Sequence, residues 1–343
     1  MTARTGCWAV LSSVFLVSGF AQQTGSRTIT LNVAVTDKAG KPVTGLQQGD
    51  FALLDNKKSQ KILSFRAIDG GAAAAGQPVE ILLVIDQINT PFIGVARVRD
   101  SIEKFLGRNG GALTHPASVV LISDSGTAIR TEPSKDGNAL IADLNKSDFG
   151  LRTIRRNEQM YAGADQQQLS IQALGQLADY EAARPGRKLA IWVSPGWPLF
   201  LGSSGMMTTK DQSGVFNSLV GLLGSFRRAQ MTLYNINPIG PTEGAMQRSD
   251  FEQFFKGVTK PDQVSFGDLG VQALAYQSGG RVLDSSNDIV GEIATCAMDG
   301  TDYYALTFEG LRGDGANEYH ELAVKVEKPK VTVRAPSGYY AQP

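Results

Sequence analysis

The sequence predicts an α/β fold: a doubly wound, mostly parallel sheet, with a small β-sandwich-like domain formed by the N- and C-terminal segments. Three observations predict it. Continuous apolar runs recur through the middle of the chain, as in strands covered on both faces. Amphipathic helical stripes separate those runs, which is the alternation of a doubly wound sheet. Both ends instead alternate polar and apolar residues, as half-buried strands do.

At the N-terminal end, Thr28 to Val35 alternates, and Asp37-Lys38-Ala39-Gly40-Lys41-Pro42 is a turn. Phe51 to Leu54 and Ile62 to Phe65 are two further strands. Residues 69–79 are rich in Gly and Ala and read as a linker. At the other end, Tyr303 to Phe308, Glu321 to Val326 and Val331 to Val333 read as strands. They are expected to pair with the first group. The expected organisation is therefore a split β-domain, 22–68 with 301–343, around an α/β domain at 80–300.

The middle runs are Ile81 to Ile85 (ending at Asp86), Ser118 to Ile122, Leu189 to Val193 and Met231 to Ile236. The first helical stripe between them is Val95, Val98, Ile102, Phe105 and Leu106. A second is Ile171, Leu174, Leu177 and Ala178, and a third is Phe216, Leu219, Leu222 and Leu223. Leu269 to Ala275 leads into Gly279-Gly280 and a short strand at Arg281 to Leu283. A last helix covers about Ser286 to Met298, with Cys296 in its apolar pattern. Ligands of such sheets sit where loops leave the strand carboxyl ends. Here those loops begin at Asp86, Ser123, Ser194 and Asn237.

Basic and acidic side chains balance at 33 each over 343 residues, so no global field holds a polyanion and nucleic acid is not an expected partner. Arg152, Arg155 and Arg156 read as a solvated loop or a local basic patch. Residues 1–21 read as an export signal: Arg4, then an apolar stretch from Cys7 to Phe20, then small residues ending at Ala21. Cleavage after Ala21 would make the protein secreted or periplasmic, and retention would make the segment an anchor. No later stretch is apolar and long enough to span a bilayer. Loss of Cys7 leaves Cys296 alone, which excludes an internal disulfide. Cys296 reads as packing or as a reactive thiol.

The ordered segments resemble a von Willebrand factor A (vWA) domain, and more narrowly the secreted "VWFA-related" proteins common in Acidobacteria. The resemblance is carried by Val35 to Val43, Gly45-Leu46, Asp50-Phe51, Pro185-Gly186-Arg187-Lys188, Ile191-Trp192-Val193-Ser194 and Leu233 to Ile236. Ala273 to Ala275, Gly279-Gly280-Arg281, Asn287-Asp288, Tyr303-Tyr304 and Gly338 to Ala341 complete it. It covers nearly the whole of the chain after residue 21. It implies adhesion, that is, binding of a protein partner at the loop crown.

The resemblance also implies a metal-ion-dependent adhesion site, whose first loop reads Asp-x-Ser-x-Ser and whose acidic loop reads Thr-Asp-Gly. Here Asp86 holds the Asp position, Ile88 replaces the first Ser, and Thr90 stands at the second. Ser194-Pro195-Gly196 occupies the acidic loop, so the carboxylate is missing, and Thr153 is a middle-loop candidate by position alone. The site is degenerate. Asp86 and Thr90 are the remaining candidate ligands for Mg²⁺ or another divalent cation, although a hard cation needs a fuller oxygen cage and no cofactor is the expectation. Otherwise Asp86 caps the helix that follows. Asp86, Asn89, Thr90, Ser194, Trp197 and the 198–212 loop are expected to line the crown. Trp197 to Phe200 forms an apolar group, either a partner surface or a cover over the β-domain junction.

Enzyme chemistry has little to stand on. His115 and His320 fall in different expected domains. Ser194 lacks the upstream Gly of a nucleophile elbow, and Gly107 to Gly111 follows a helix rather than a strand. The expectation is a non-enzymatic binding protein. The alternative is a structural envelope scaffold without a discrete ligand, with a hydrolase behind both.

Overall fold

The computed structural model describes residues 28–70, 78–124, 126–129, 132–146, 162–197, 207–240 and 251–343. The export segment 1–21, most of the linker, Arg152, Thr153, Arg155, Arg156 and residues 198–206 lie outside them. Among the described residues, no helix is long and apolar enough to cross a membrane.

The chain opens with β1 (Thr28–Asp37), β2 (Phe51–Asp55), β3 (Lys58–Gln60) and β4 (Ser64–Ile68). The central part runs β5 (Val79–Asp86), α1 (Phe92–Leu106), β6 (Ala112–Ser123), β7 (Gly126–Ile129), β8 (Ser134–Asp136) and α2 (Gly137–Lys146). It continues with α3 (Ala162–Ala182), β9 (Arg187–Val193), α4 (Thr209–Ala229), β10 (Met231–Ile236), α5 (Val271–Gln277), β11 (Val282–Leu283) and α6 (Ile289–Met298). The last strands are β12 (Tyr303–Glu309), β13 (Glu318–Val326), β14 (Val331–Arg334) and β15 (Gly338–Ala341).

The central sheet has the order β11-β10-β9-β5-β6-β7, with β8 also paired to β6. Strands β5, β6, β9, β10 and β11 are parallel, and β7 and β8 run antiparallel to β6. Strand order reverses between β5 and β9, so the topological switch point lies between Asp86 and Ser194. All eight residues of β5 are buried, as are all of β9 and β10. The two-residue period divides them between two cores. Leu82, Val84, Ala190, Trp192 and Leu233 pack with α3 and α4, whereas Ile81, Leu83, Ile85, Ile191 and Tyr234 pack with α1 and α6. The expected α1 stripe of Val95, Val98, Ile102, Phe105 and Leu106 is buried throughout.

The chain ends form two four-stranded antiparallel sheets, β14-β1-β12-β4 and β15-β13-β2-β3. Leu31, Val33, Phe51, Leu53, Leu306 and Phe308 share the core between them.

Some elements depart from expectation. The third strand is Ser64–Ile68, shifted so that Phe65 and Ile68 pair with Leu306 and Tyr303, and Leu63 is left exposed. Strand β5 starts at Val79, inside the expected linker. Residues 209–212, expected in a crown loop, are the first turn of α4. Thr208 caps that turn by accepting the Asp211 N–H, while the Asp211 carboxylate accepts from Thr208. Strands β3, β7, β8 and β15 and helix α2 went unread, because short edge segments carry too few residues to show a period.

Candidate functional site

The crown begins at Asp86. In the β5–β9 register, Val84 pairs with Trp192 and Ile85 with Val193. Asp86, Val84 and Trp192 therefore project from the same face. The Trp192 indole N–H donates to Asp86 Oδ2 at 2.9 Å, and the Asn89 side-chain amide donates to the same oxygen at 2.8 Å. Asp86 Oδ1 accepts the backbone N–H groups of Ile88 at 2.9 Å and Asn89 at 3.0 Å. Each carboxylate oxygen thus receives two donors. Asp86 is fully buried, which raises its carboxyl above the ordinary carboxylate range, and the four donors pull the other way.

Helix α3 seals the loop. Asn89 Nδ2 also donates to Ser170 Oγ at 2.8 Å, and Gln166 Nε2 donates to the Ile88 carbonyl at 3.3 Å. Ile88 turns into the core that contains Trp192 and Trp197. On the other side of the switch point, Ser194 Oγ accepts the Gly196 N–H at 3.1 Å, and the Ser194 carbonyl accepts from Asn235 Nδ2 at 3.1 Å. Gln272 Nε2 donates to the Pro195 carbonyl at 3.3 Å.

The structure brings Asp86, Asn89 and Thr90 together on one loop, but as buried or half-buried groups. Trp197 does not present an exposed aromatic surface: it is 4% exposed and meets Trp192 edge-on at 5.6 Å. Neither does Asp86 cap α1, which starts after Pro91 with no side-chain cap, so the carboxylate closes the 86–89 turn instead. Thr90 Oγ1, Asn89 Oδ1 and Trp197 Nε1 are buried without a hydrogen-bond partner among the described residues.

This donor set does not fit a divalent cation. A hard cation needs several oxygen acceptors with free lone pairs, those of Asp86 face N–H groups, and the loop's free oxygens, Thr90 Oγ1 and Asn89 Oδ1, are only two and both neutral. Ile88 offers no oxygen, and the Ser194 hydroxyl is used in its own turn. Among the described residues, no group of three or more His, Cys, Asp or Glu side chains is placed to hold a metal ion.

Sequence reasoning missed Trp192 as the partner of Asp86. The signal was a Trp in the aliphatic run Leu189 to Val193, two residues before the next loop; a buried indole N–H needs an acceptor nearby. It also missed a polar cluster in the sandwich. Asp55 Oδ1 lies 2.8 Å from His320 Nδ1, and Tyr339 Oη donates to Asp55 Oδ2 at 2.6 Å. His320 Nε2 is buried, with Glu318 Oε1 at 3.9 Å and no hydroxyl partner among the described residues, so they give the cluster no nucleophile of a hydrolytic triad. His115 lies in the central sheet beside Thr301, and burial lowers its pKa to about 4. Cys296 is fully buried, and burial pushes its thiol well above the ordinary value, contrary to a reactive thiol.

The motif Pro185 to Lys188 is structural. Lys188 Nζ donates to the carbonyls of Glu181, Arg184, Pro185 and Gly186, closing the C-terminal end of α3. The Arg187 guanidinium lies 4.2 Å from the Tyr303 ring centroid and donates to the Asp299 carbonyl at 2.6 Å. Asp299 in turn takes both Arg334 of β14 (2.6 and 2.8 Å) and Arg281 (3.0 Å), and the Tyr234 hydroxyl donates to it at 3.0 Å. These cations hold its carboxyl down at about 2 despite burial. The sandwich is bolted to the central sheet through this carboxylate.

The sequence matches no family model and no curated protein. Among solved structures, the chain is similar to the conserved hypothetical protein BatB of Bacteroides thetaiotaomicron, at 12% identity over 66% of this chain and 98% of that one, with a TM-score of 0.32. It is similar to a human COPII-coat protein at 7% identity over 81% of this chain and 46% of that one, with a TM-score of 0.32. It is also similar to the SpRpn10 VWA domain at 12% identity over 64% and 94%, with a TM-score of 0.29. Likenesses this distant assign neither family nor partner.

Proposed function

We propose that this chain is an exported, non-enzymatic vWA-like scaffold that engages protein partners without a metal ion. The observation that carries the reading is Asp86. The residue that would anchor an adhesion cation is held by four N–H donors, one of them the Trp192 indole. Among the described residues of the crown, Asp86, Asn89 and Ser194 are held by the chain's own groups, which favours a scaffold over a metal-bridged adhesin. Calorimetric titration of the chain from Gln22 onward with Mg²⁺, Mn²⁺ and Ca²⁺ tests it. No saturable heat is expected; saturable binding that Asp86→Asn abolishes would restore the adhesion-site mechanism.

One observation favours a second reading, direct partner binding at a crown that opens. Thr90 Oγ1, Asn89 Oδ1 and Trp197 Nε1 are buried with no hydrogen-bond partner among the described residues, and opening of the crown would let a partner's polar groups satisfy them. On that reading, Thr90→Val weakens capture of a crown partner; on the scaffold reading it leaves association with the envelope fraction unchanged.

A further inference from the structure

A cleft of about 540 Å³ lies between the sandwich and the central domain, away from the crown. Its walls come from α4, from the start of β1 and from β15. The volume falls in the range of ligand sites, roughly 300–1,000 Å³.

Three features of this cleft point to one kind of occupant. First, β1 pairs with β12 through residues 28–33, but β14 covers the opposite edge only at residues 34–37. Among the described residues, no strand pairs with that edge from Ile29 to Val33. Second, Ile29, Thr30, Leu31 and Asn32 all line the cleft. Successive strand side chains point to opposite faces, so four consecutive residues share one cleft only by presenting their backbone edge. Third, Arg227 stands in the cleft with its guanidinium 5.8 Å from the Tyr339 ring centroid, and its side chain has no hydrogen bond or ion pair among the described residues. Arg228 beside it has Asp179 at 3.5 Å. The two arginines therefore outnumber the one carboxylate at that end. Val220 and Leu223 of α4 give the cleft an apolar wall.

The geometry points to strand addition: the cleft binds an extended peptide segment of a partner protein, paired to the free edge of β1 and held by a carboxylate at Arg227. Main-chain hydrogen bonds supply affinity in this mode, and alternate side-chain positions supply specificity. An unpaired edge is ordinarily an aggregation hazard. Here it is recessed between α4 and β15, which leaves room for a single strand rather than another sheet. The four edge residues span about 13 Å at roughly 3.3 Å per residue, so four or five partner residues would pair. The apolar positions of that segment would rest on Val220 and Leu223.

The inference goes beyond the scaffold reading and does not depend on the crown: cation titration reads Asp86, whereas this site is read at β1 and Arg227. The test selects binders to the chain from a random seven-residue peptide library with free carboxyl ends. It then measures the best binder by fluorescence anisotropy in four forms: unmodified, N-methylated at alternate amides in either register, and with its carboxylates amidated. The expected binders carry apolar residues at alternate positions and a carboxylate. One N-methyl register should lower affinity at least tenfold. Arg227→Gln, with an unchanged melting temperature, should lower affinity about tenfold for the acid form and leave the amidated form unaffected. No enrichment, binding indifferent to N-methylation in both registers, or equal affinity of the acid form for Arg227→Gln would each overturn the proposal. Binding that needs the carboxylate but not the peptide amides would assign the cleft to small anionic amphiphiles instead.

Discussion

Asp86 shows how a buried carboxylate at the end of a strand can be satisfied within its own chain. A carboxylate at the switch point of a parallel sheet can be neutralised by a cation or by N–H groups. In this chain, Ile88 and Trp192 favour the second solution: one offers no oxygen and fills the core, the other supplies a donor. Trp192→Phe leaves Asp86 one donor short and opens a small cavity where the larger indole packed. It should cost at least about 1–3 kcal/mol of unfolding free energy, the usual penalty for an unsatisfied buried polar group, with the cavity adding to it. Urea denaturation of the two proteins measures it. A change within 0.3 kcal/mol would mean that water or another group replaces the indole without loss. The loop residues drew attention in the sequence because their identities could be compared with an Asp-x-Ser-x-Ser pattern. That Asp86 was already satisfied was not legible, because its decisive partner lies 106 positions away and meets it only through the β5–β9 register.

At the scale of elements, the long central strands and amphipathic helices could be read from period alone, because burial on both faces demands unbroken apolar runs. The short edge strands β7 and β8 lack that demand and were unreadable. The motif Pro185 to Lys188 could be recognised but not interpreted from sequence. Its meaning is the closure of α3: the Lys188 ammonium gathers four backbone carbonyls at a buried position. Lys188→Met should orphan those carbonyls and destabilise the protein by about 2–4 kcal/mol, even though methionine fits the space. Hydrogen exchange should show the loss first in the last turn of α3. Uniformly unchanged protection there would contradict the capping role.

At the scale of the whole molecule, stability should carry two opposite pH signatures. Asp299 joins β14 to the central sheet, and its carboxyl is held at about 2 against an ordinary 3.8. Its contribution is present above the ordinary value and is lost as pH falls through about 2. Glu292 behaves in reverse. Burial first, then the nearby Asp284 and Asp288, raise its carboxyl from 4.5 to about 7. The folded state therefore binds this proton more tightly than the unfolded chain, and stability declines as pH rises from about 4.5 to 7. Glu292→Gln should flatten that decline and raise the melting temperature at pH 8, while leaving the loss near pH 2 to 4 in place. A variant whose melting profile overlays the parent from pH 4 to 8 would remove Glu292 from the account. The split of the sandwich between the two chain ends was legible in their alternating patterns. The Asp299 junction was not, since Arg281, Arg334 and Tyr234 converge on it from three separate segments.

The central claim is that the crown is held by its own hydrogen bonds rather than by a cation. Thermal unfolding of the parent and Asp86→Ala, each in Mg²⁺ and in EDTA, tests it most directly. A ligand that binds only the folded state raises stability by about 2.7 kcal/mol at a hundredfold excess over its dissociation constant. A carboxylate waiting for a cation would gain from Mg²⁺ and lose little on removal in EDTA. The account predicts that Mg²⁺ leaves the parent's midpoint unmoved. It also predicts that Asp86→Ala melts several degrees lower, by the same margin in both buffers. A parent stabilised by Mg²⁺, with Asp86→Ala as stable as the parent in EDTA, would contradict it.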